Sequence, residues 1–413
     1  MLASGPSPVR DIRPPHPILP LDSSLFERWT DPISGVTSHI LAEQAAPIQQ
    51  SFYFVNTSFS SDGRYYWFYC AFPPAGSANQ GRSLGVVDFR ERTIAHFSET
   101  AFTDASPVVD EHTGEAYWCT GLEIWKRRPE PDAAPVFVNR FPPEIASNRR
   151  PWRLATHLTF SADRKALNID VEIGSEWYIG HLPLDGGDFV LWQKFDRCFN
   201  HAQFHPVDPD LQLIAQDHSI HPVSGKSIGY ENRLWTIKRG HPASPIFPDP
   251  LTSAPRLVGG NPHYFNDASR IISDERAFVG HEWWSADGSH VWYVHYGTGV
   301  ARVPVGGGSE EVVWRKPMLS HAHVDQGENW LVADALPPEA PDKHQVLFYN
   351  LATGKQVEIV SHLDQIPPSL SRYHVHPHPQ FCLQDRFVCY TTNVRGRVDV
   401  AFVEVGELIS RTL

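Results

Sequence analysis

The chain lacks any apolar stretch of the ~20 residues that a membrane-spanning helix needs. Its opening residues, Met1 to Asp22, are rich in proline and serine and carry no apolar core of a secretory signal. Together these absences predict a cytoplasmic chain that does not contact a membrane. Basic runs are missing too. The 35 Lys and Arg stand against 47 Asp and Glu, a formal charge of −12, so a nucleic-acid backbone is a poor partner. An acidic substrate has to be met by a local positive centre, a metal or a few arginines, because the global field repels it. Cysteine is scarce. Cys70, Cys119, Cys198, Cys382 and Cys389 are odd in number and irregular in spacing, which argues for reduced thiols and against a disulfide framework. No Gly-x-Ser-x-Gly elbow occurs, which disfavours hydrolysis by a catalytic triad. Gly306-Gly307-Gly308 is followed by neither Lys-Ser/Thr nor a helix pattern, so it reads as a hairpin turn.

What remains is a sequence of turns and aromatic strands. There are 36 prolines, 13 tryptophans and 23 phenylalanines, but only two methionines and no long helical periodicity. One unit recurs: an apolar residue, a turn with Asp, Gly or Asn, then a run of aromatic and β-branched residues. The copies open at Ser58-Phe59, Val109, Phe160, Phe204, Trp284, Val324 and Phe381. Each unit reads as a hairpin whose turn carries residues tolerant of left-handed backbone. Seven such units at intervals of roughly 40–60 residues, each too small to bury its own faces, predict an all-β, seven-bladed β-propeller. Two stacked β-domains are the competing arrangement. On this reading residues 1–45 are an irregular lead-in in which Phe26-Glu27-Arg28-Trp29 and Gly35-Val36-Thr37 can form a first short strand, residues 46–413 form one propeller domain, and the proline-rich segment at about 241–275 is a loop inserted over one face.

The histidines are patterned as well. His374, His376 and His378 alternate strictly, and in an extended strand side chains two apart leave one face roughly 7 Å from each other. Pro377 and Pro379 confine that segment to a strand start, an edge or a cavity rim. His321 and His323 repeat the spacing, and His281 opens His281-Glu282-Trp283-Trp284. Three His-bearing strands from distant parts of the chain suggest one shared metal centre.

The segment His281-Glu282-Trp283-Trp284, with Ala286-Asp287-Gly288-Ser289 and Tyr293-Val294-His295-Tyr296, resembles the His-Glu-Phe-Trp, Pro-Asp-Gly-Ser, Tyr-Val-Ser-Tyr segment of the oligogalacturonate lyases, polysaccharide lyase family 22. Ser320-His321, His376-Pro377-His378-Pro379 with Phe381, and Asn232-Arg233-Leu234-Trp235 follow the family's motifs in order and interval, as do Phe52-Tyr53-Phe54 and Phe59 to Gly63 more thinly near the front. The resemblance implies a seven-bladed propeller and a metal-dependent lyase. Such an enzyme cleaves a uronate oligosaccharide, foremost pectin-derived oligogalacturonate, by β-elimination to a 4,5-unsaturated sugar. It further implies His281 as the base, Arg233 on the substrate carboxylate, and His321, His376 and His378 on a manganese ion. The family's fourth ligand is a glutamine, and Tyr373 stands in its place. His374 or a water then completes the set, or Tyr373 serves the chemistry as a proton donor. An all-imidazole set tilts the preference from manganese toward zinc or nickel, and calcium stays open as well. Where the family has His-Arg-Asn near the front, this chain has Gln49-Gln50-Ser51, so one basic group on the substrate side is missing.

Plainer readings stand beside these. His376 and His378 can be channel histidines without a metal, His281 a packing residue beneath Trp283, and Arg233 the partner of a nearby carboxylate. His201 and His218 are candidates for the substrate cleft, with His205 and His221 as loop caps, and His157 is a candidate to replace the missing basic group. His323 is equally well a core residue. Trp284 is a candidate to stack on a sugar, although strand aromatics more often pack between blades. The expected partner is an acidic oligosaccharide, and the expected assembly a monomer or homodimer. The alternatives are a lyase for another uronate, such as glucuronate in rhamnose-containing or algal glycans, and a non-catalytic propeller with a structural metal.

Overall fold

The computed structural model describes residues 19–75, 80–103, 106–221, 223–228, 230, 232–247, 279–337, 343–364 and 375–413. Seven antiparallel sheets follow one another along the chain and are arranged as a seven-bladed β-propeller. Blade 1 comprises Ile48–Gln50, Tyr65–Ala71, Gln80–Asp88 and Thr93–Thr103; blade 2 comprises Val108–Val109, Ala116–Thr120, Glu123–Arg127 and Val136–Arg140. Blade 3 has Ala166–Ile173, Glu176–Pro183 and Val190–Phe195, with Phe160 bridging to Leu167 on its inner side. Blade 4 has Phe199–Phe204, Leu211–Gln216, Leu234–Lys238 and Ser244–Pro245, plus a small hairpin of Ser219–Ile220 and Ser227–Ile228 between its second and third strands. Blade 5 is Val279–Trp284, His290–His295, Gly299–Pro304 and Glu311–Arg315, and blade 6 is Leu319–Val324, Trp330–Ala335, Lys343–Asn350 and Lys355–Asp364.

All seven sequence repeats fall at one place, the turn from the first to the second strand of a blade. Local chemistry shapes the turn. Ser60, Ser161 and Ser285 each donate a hydroxyl hydrogen bond to the aspartate two residues on, at 2.6, 2.7 and 2.8 Å. Each hydroxyl oxygen in turn accepts the backbone N–H five residues on, at 2.9, 3.1 and 2.9 Å. Left-handed backbone follows at Gly63, Arg164 and Gly288 (φ 71°, 58° and 73°). At Gly288 the absent side chain has a second use. A Cβ there would lie 2.2 Å from the His205 ring, whose Nε2 donates to the Gly288 carbonyl at 2.9 Å.

Blade 7 corrects the expected domain boundary. Gln380–Cys382, Phe387–Thr392 and Asp399–Glu404 come from the C-terminus, and Thr37–Leu41 and Phe26–Thr30 complete the sheet from within the supposed lead-in. His39 pairs with Phe402 and Ile40 with Ala401. The reason is burial: Phe26 stacks on Phe89 of blade 1 at 6.0 Å and meets Phe402 edge-on at 5.7 Å, so the outer strands seal the joint between last and first blades. The C-terminal helix Val405–Arg411 latches the arrangement, with Arg411 donating to the carbonyls of Ser34 and Gly35. Of the segment expected as an insertion, residues 241–247 belong to the outer edge of blade 4, and residues 248–278 lie outside the described ones.

Neighbouring blades also meet through their turns. Asp385 of blade 7 accepts the Gln326 amide of blade 6 at 2.9 Å. Burial, reinforced by the Asp325 carboxylate and opposed by that amide, pushes the Asp385 carboxyl up from 3.8 to about 6. A carboxyl raised on folding stabilises the fold while protonated, so this contribution is complete below the ordinary pKa and is lost as pH rises through about 6. Asp385→Asn keeps the acceptor and tolerates the left-handed φ of 60°. Denaturant unfolding should show the variant about 1 kcal/mol more stable at pH 7, with a flatter stability profile between pH 4 and 6 than the parent.

Candidate active site

The innermost strands depart from regular pairing on one face of the propeller. The register shifts between Asn200 and Gln203 in blade 4, between Gly280 and Trp283 in blade 5, and between Leu319 and Ala322 in blade 6. His201 and His281 sit in these bulges with φ of 53° and 52°, and His378 has φ of 42°. A bulge re-aims a side chain that simple alternation would send elsewhere. The result is a collar of rings. His201 meets His157 at 5.0 Å between centroids, His157 stacks on Tyr53 at 4.6 Å, and Tyr53 meets His378 at 5.0 Å. His378 meets His321 at 4.3 Å, and His321 meets His281 at 4.0 Å.

His321, His376 and His378 bring one ligand nitrogen each to within 4.8 Å of one another, a donor set that fits a metal ion. Asp334 arranges them. Its carboxylate accepts the His321 backbone N–H at 2.8 Å and faces the His321 Nδ1 at 2.9 Å, which turns Nε2 toward the other two imidazoles. It also accepts the His378 backbone N–H at 3.3 Å. Burial raises the Asp334 carboxyl above its ordinary pKa, and a cation on the adjacent imidazoles would draw it back down.

His281 stands beside this triad. Its Nδ1 donates to the Ser320 carbonyl and lies 2.7 Å from the Tyr296 hydroxyl, so the neutral ring carries its lone pair on Nε2. Burial lowers its pKa to about 4, which keeps the ring neutral near pH 7. Arg233 is held rigidly. Its Nε and Nη2 each donate to Glu282 at 3.3 Å, and Nη1 lies 3.1 Å from Asp217. Burial would raise both carboxyls, but the guanidinium holds them below the ordinary range. His201 approaches Glu282 through Nδ1 at 3.2 Å, and His218 approaches Asp217 at 3.5 Å.

The structure thus brings together His281, Arg233, His321, His376, His378, His201 and His218. Tyr373 and His374 lie outside the described residues. Trp284 is elsewhere: its indole donates to the Gln203 carbonyl at 3.2 Å and its ring meets His205 at 4.7 Å, packed between blades 4 and 5 beside the Gly288 turn. It is a packing residue, because the bulge ends before it and the strand carries it to the opposite end of the blade. His205 caps a turn by accepting the amides of Val207 and Asp208, and His221 does the same for Ser224. His323 is a core residue that accepts the Phe381 amide at 3.1 Å. His157 is buried within the collar, stacked on Tyr53.

Two expected geometries are corrected. Residues 375–379 form no strand, so His376 and His378 converge through a bent, proline-bounded segment instead of by alternation. His321 and His323 separate because the bulge intervenes. Asp334, Glu282, Asp217 and Tyr53 had no assigned role in the sequence. For Asp334 a signal existed, a lone acid inside the apolar strand Trp330–Ala335, and Glu282 adjoins His281. Nothing local marks Asp217.

No family model matches the chain, and no curated protein matches it in sequence. Among solved structures, an oligogalacturonate lyase in complex with manganese is similar with a TM-score of 0.66 and 14% identity, over 92% of this chain and 96% of that one. An oligogalacturonate lyase from Vibrio parahaemolyticus is similar with a TM-score of 0.67, again at 14% identity and with the same coverage. The lyases that the sequence motifs resemble therefore share this fold.

Two outcomes follow from the geometry. Asp334→Asn should weaken binding of a divalent metal about 10–100-fold in calorimetric titration, because the His321 ring loses its anionic anchor. Arg233→Ala should cost about 3–5 kcal/mol in unfolding free energy, since it leaves the buried carboxylates of Glu282 and Asp217 without their cation.

Proposed function

We propose that the protein is a metal-dependent lyase that cleaves a uronate-containing oligosaccharide by β-elimination, with oligogalacturonate as the first candidate. The observation that carries this reading is the adjacency of His281, neutral and with Nε2 as its basic nitrogen, to the His321, His376 and His378 donor set. A divalent cation on those imidazoles supplies Lewis-acid stabilisation for charge that develops on the substrate carboxylate. The chain's own residues do the rest. His281 Nε2 takes the C5 proton, for which a neutral imidazole within reach is suited. Arg233, fixed by Glu282 and Asp217, is the group that orients the substrate carboxylate. The buried walls of Tyr53, His157 and Phe54 keep water from the reacting carbon. The likeness to oligogalacturonate lyases supports the substrate class. So does the donor set, although three imidazoles suit zinc or nickel at least as well as manganese.

A second reading, a lyase for another uronate such as glucuronate in rhamnose-containing or algal glycans, is favoured by one observation. Gln49, Gln50 and Ser51 are buried, with Gln49 donating to Asp399 at 2.8 Å and Ser51 2.9 Å from the Thr391 hydroxyl. They knit blade 1 to blade 7 and offer the substrate no cation.

The test is the ultraviolet absorbance of an unsaturated uronate product. Metal-loaded protein is incubated with galacturonate, glucuronate and rhamnose-uronate oligosaccharides, with His281→Ala alongside. A signal on one substrate that disappears with a chelator and in the variant identifies the reaction and its sugar. Silence across the panel from protein that binds stoichiometric metal overturns the reading in favour of a structural metal site.

A further inference from the structure

β-Elimination needs a second proton transfer, because the oxygen that leaves C4 is a poor leaving group as an alkoxide. In galacturonate the C5 hydrogen and O4 lie on opposite faces of the ring, so a base that takes the one is on the wrong side to protonate the other. Among the imidazoles of the collar, His157, His321 and His378 are buried, while His201, His281 and His376 are reached by solvent. His281 is the base and His376 belongs to the donor set. His201 is left.

Its setting is built. The side chain stands 17% exposed at a left-handed bulge, and Nδ1 lies 3.2 Å from Glu282 Oε1 and 3.4 Å from His157 Nε2, so Nε2 is the nitrogen remaining for a ligand. Glu282 is fully buried, and Arg233 holds it in place through both oxygens. The arrangement is a carboxylate–imidazole dyad, which fixes the ring's orientation and stabilises an imidazolium. The bulge that aims the ring is left-handed at a non-glycine residue, a conformation that persists only where the surroundings enforce it.

Building on the lyase reading above, we propose that His201 is the proton donor to the leaving oxygen, with Glu282 as its positioning residue. The balance is as follows. His281 Nε2 takes the C5 proton, and the electron pair of that C–H bond becomes the C4=C5 double bond. The C4–O4 bond breaks with its pair on O4, and the Nε2 proton of the His201 imidazolium passes to O4. One proton is taken and one given, and the two rings return to their starting states through solvent.

His201→Asn isolates the role. Asparagine tolerates the left-handed backbone and can still donate to Glu282, but it has no proton to deliver from the Nε2 position. His201→Gln is measured in parallel, and metal stoichiometry and thermal unfolding are recorded for both, so that one misfolded variant does not decide the matter. The substrate is the uronate oligosaccharide on which the parent is active, in heavy water. The expected result is elimination slowed by about 10²–10⁴-fold, with deuterium entering C5 of the unreacted sugar because His281 still removes and returns that proton. His281→Ala should show neither elimination nor exchange. The proposal is overturned if either folded, metal-loaded His201 variant eliminates within a few-fold of the parent, which would leave the ring as a substrate contact only. Joint loss of elimination and exchange in both variants also overturns it, since His201 would then act in building the site. If the parent itself eliminates none of the uronates, the lyase reading has failed and this proposal goes with it.

Discussion

The site depends on one backbone device, the bulge in the innermost strands of blades 4, 5 and 6. A regular strand would send successive side chains alternately to the two neighbouring blades, and no imidazole would face the axis. Slipping the register at Asn200–Gln203, Gly280–Trp283 and Leu319–Ala322 rotates His201, His281 and His321 inward together. Each ring then touches the next, so the position of any one is set by its neighbours as much as by its own strand. Rings that pack in an unbroken series from His201 to His281 leave little rotamer freedom, and a metal site or a proton-transfer site needs that fixity.

Charge divides the collar into two halves. On one side Asp334 lies behind the imidazoles and supplies the negative charge that a bound cation would balance. On the other side Glu282 and Asp217 surround Arg233. These three groups carry a net charge of one negative unit, with the His201 and His218 imidazoles 3.2 and 3.5 Å from the two carboxylates. The same low-dielectric surroundings that hold the His281 imidazole neutral leave Glu282 ionised, because Glu282 has a guanidinium against it.

Much of this was legible in the sequence. The seven turn units correspond one to one with the seven blades, since each is a tight turn made from neighbours along the chain, three of them with a Ser-x-Asp hydrogen bond. His281, His321, His376 and His378 were identified by motif, and they do converge. The geometry by which they converge was read wrongly: alternation predicted a straight histidine strand, whereas Pro377 and Pro379 bound an irregular segment and a bulge parts His321 from His323. Trp284 was assigned to the cleft from residue type, but the strand's direction places it by the far turn. A short strand near the N-terminus is legible, but its place in blade 7 is not, because Thr37–Leu41 pairs with a strand more than 350 residues away, beyond the reach of any local pattern.

The sequence alone therefore determined the blade count, the turn chemistry and which histidines are candidates to hold a metal, all properties of short segments whose interactions are sequence-local. Tertiary structure decided which groups act on one another. Asp334 meets His378 across 44 positions and Arg233 meets Glu282 across 49, while Phe26 closes the ring against Phe402. Those pairings exist only once the sheets have closed around a common axis, since closure is what brings the bulged ends of separate blades within hydrogen-bonding distance and excludes the water that would otherwise satisfy each charge separately.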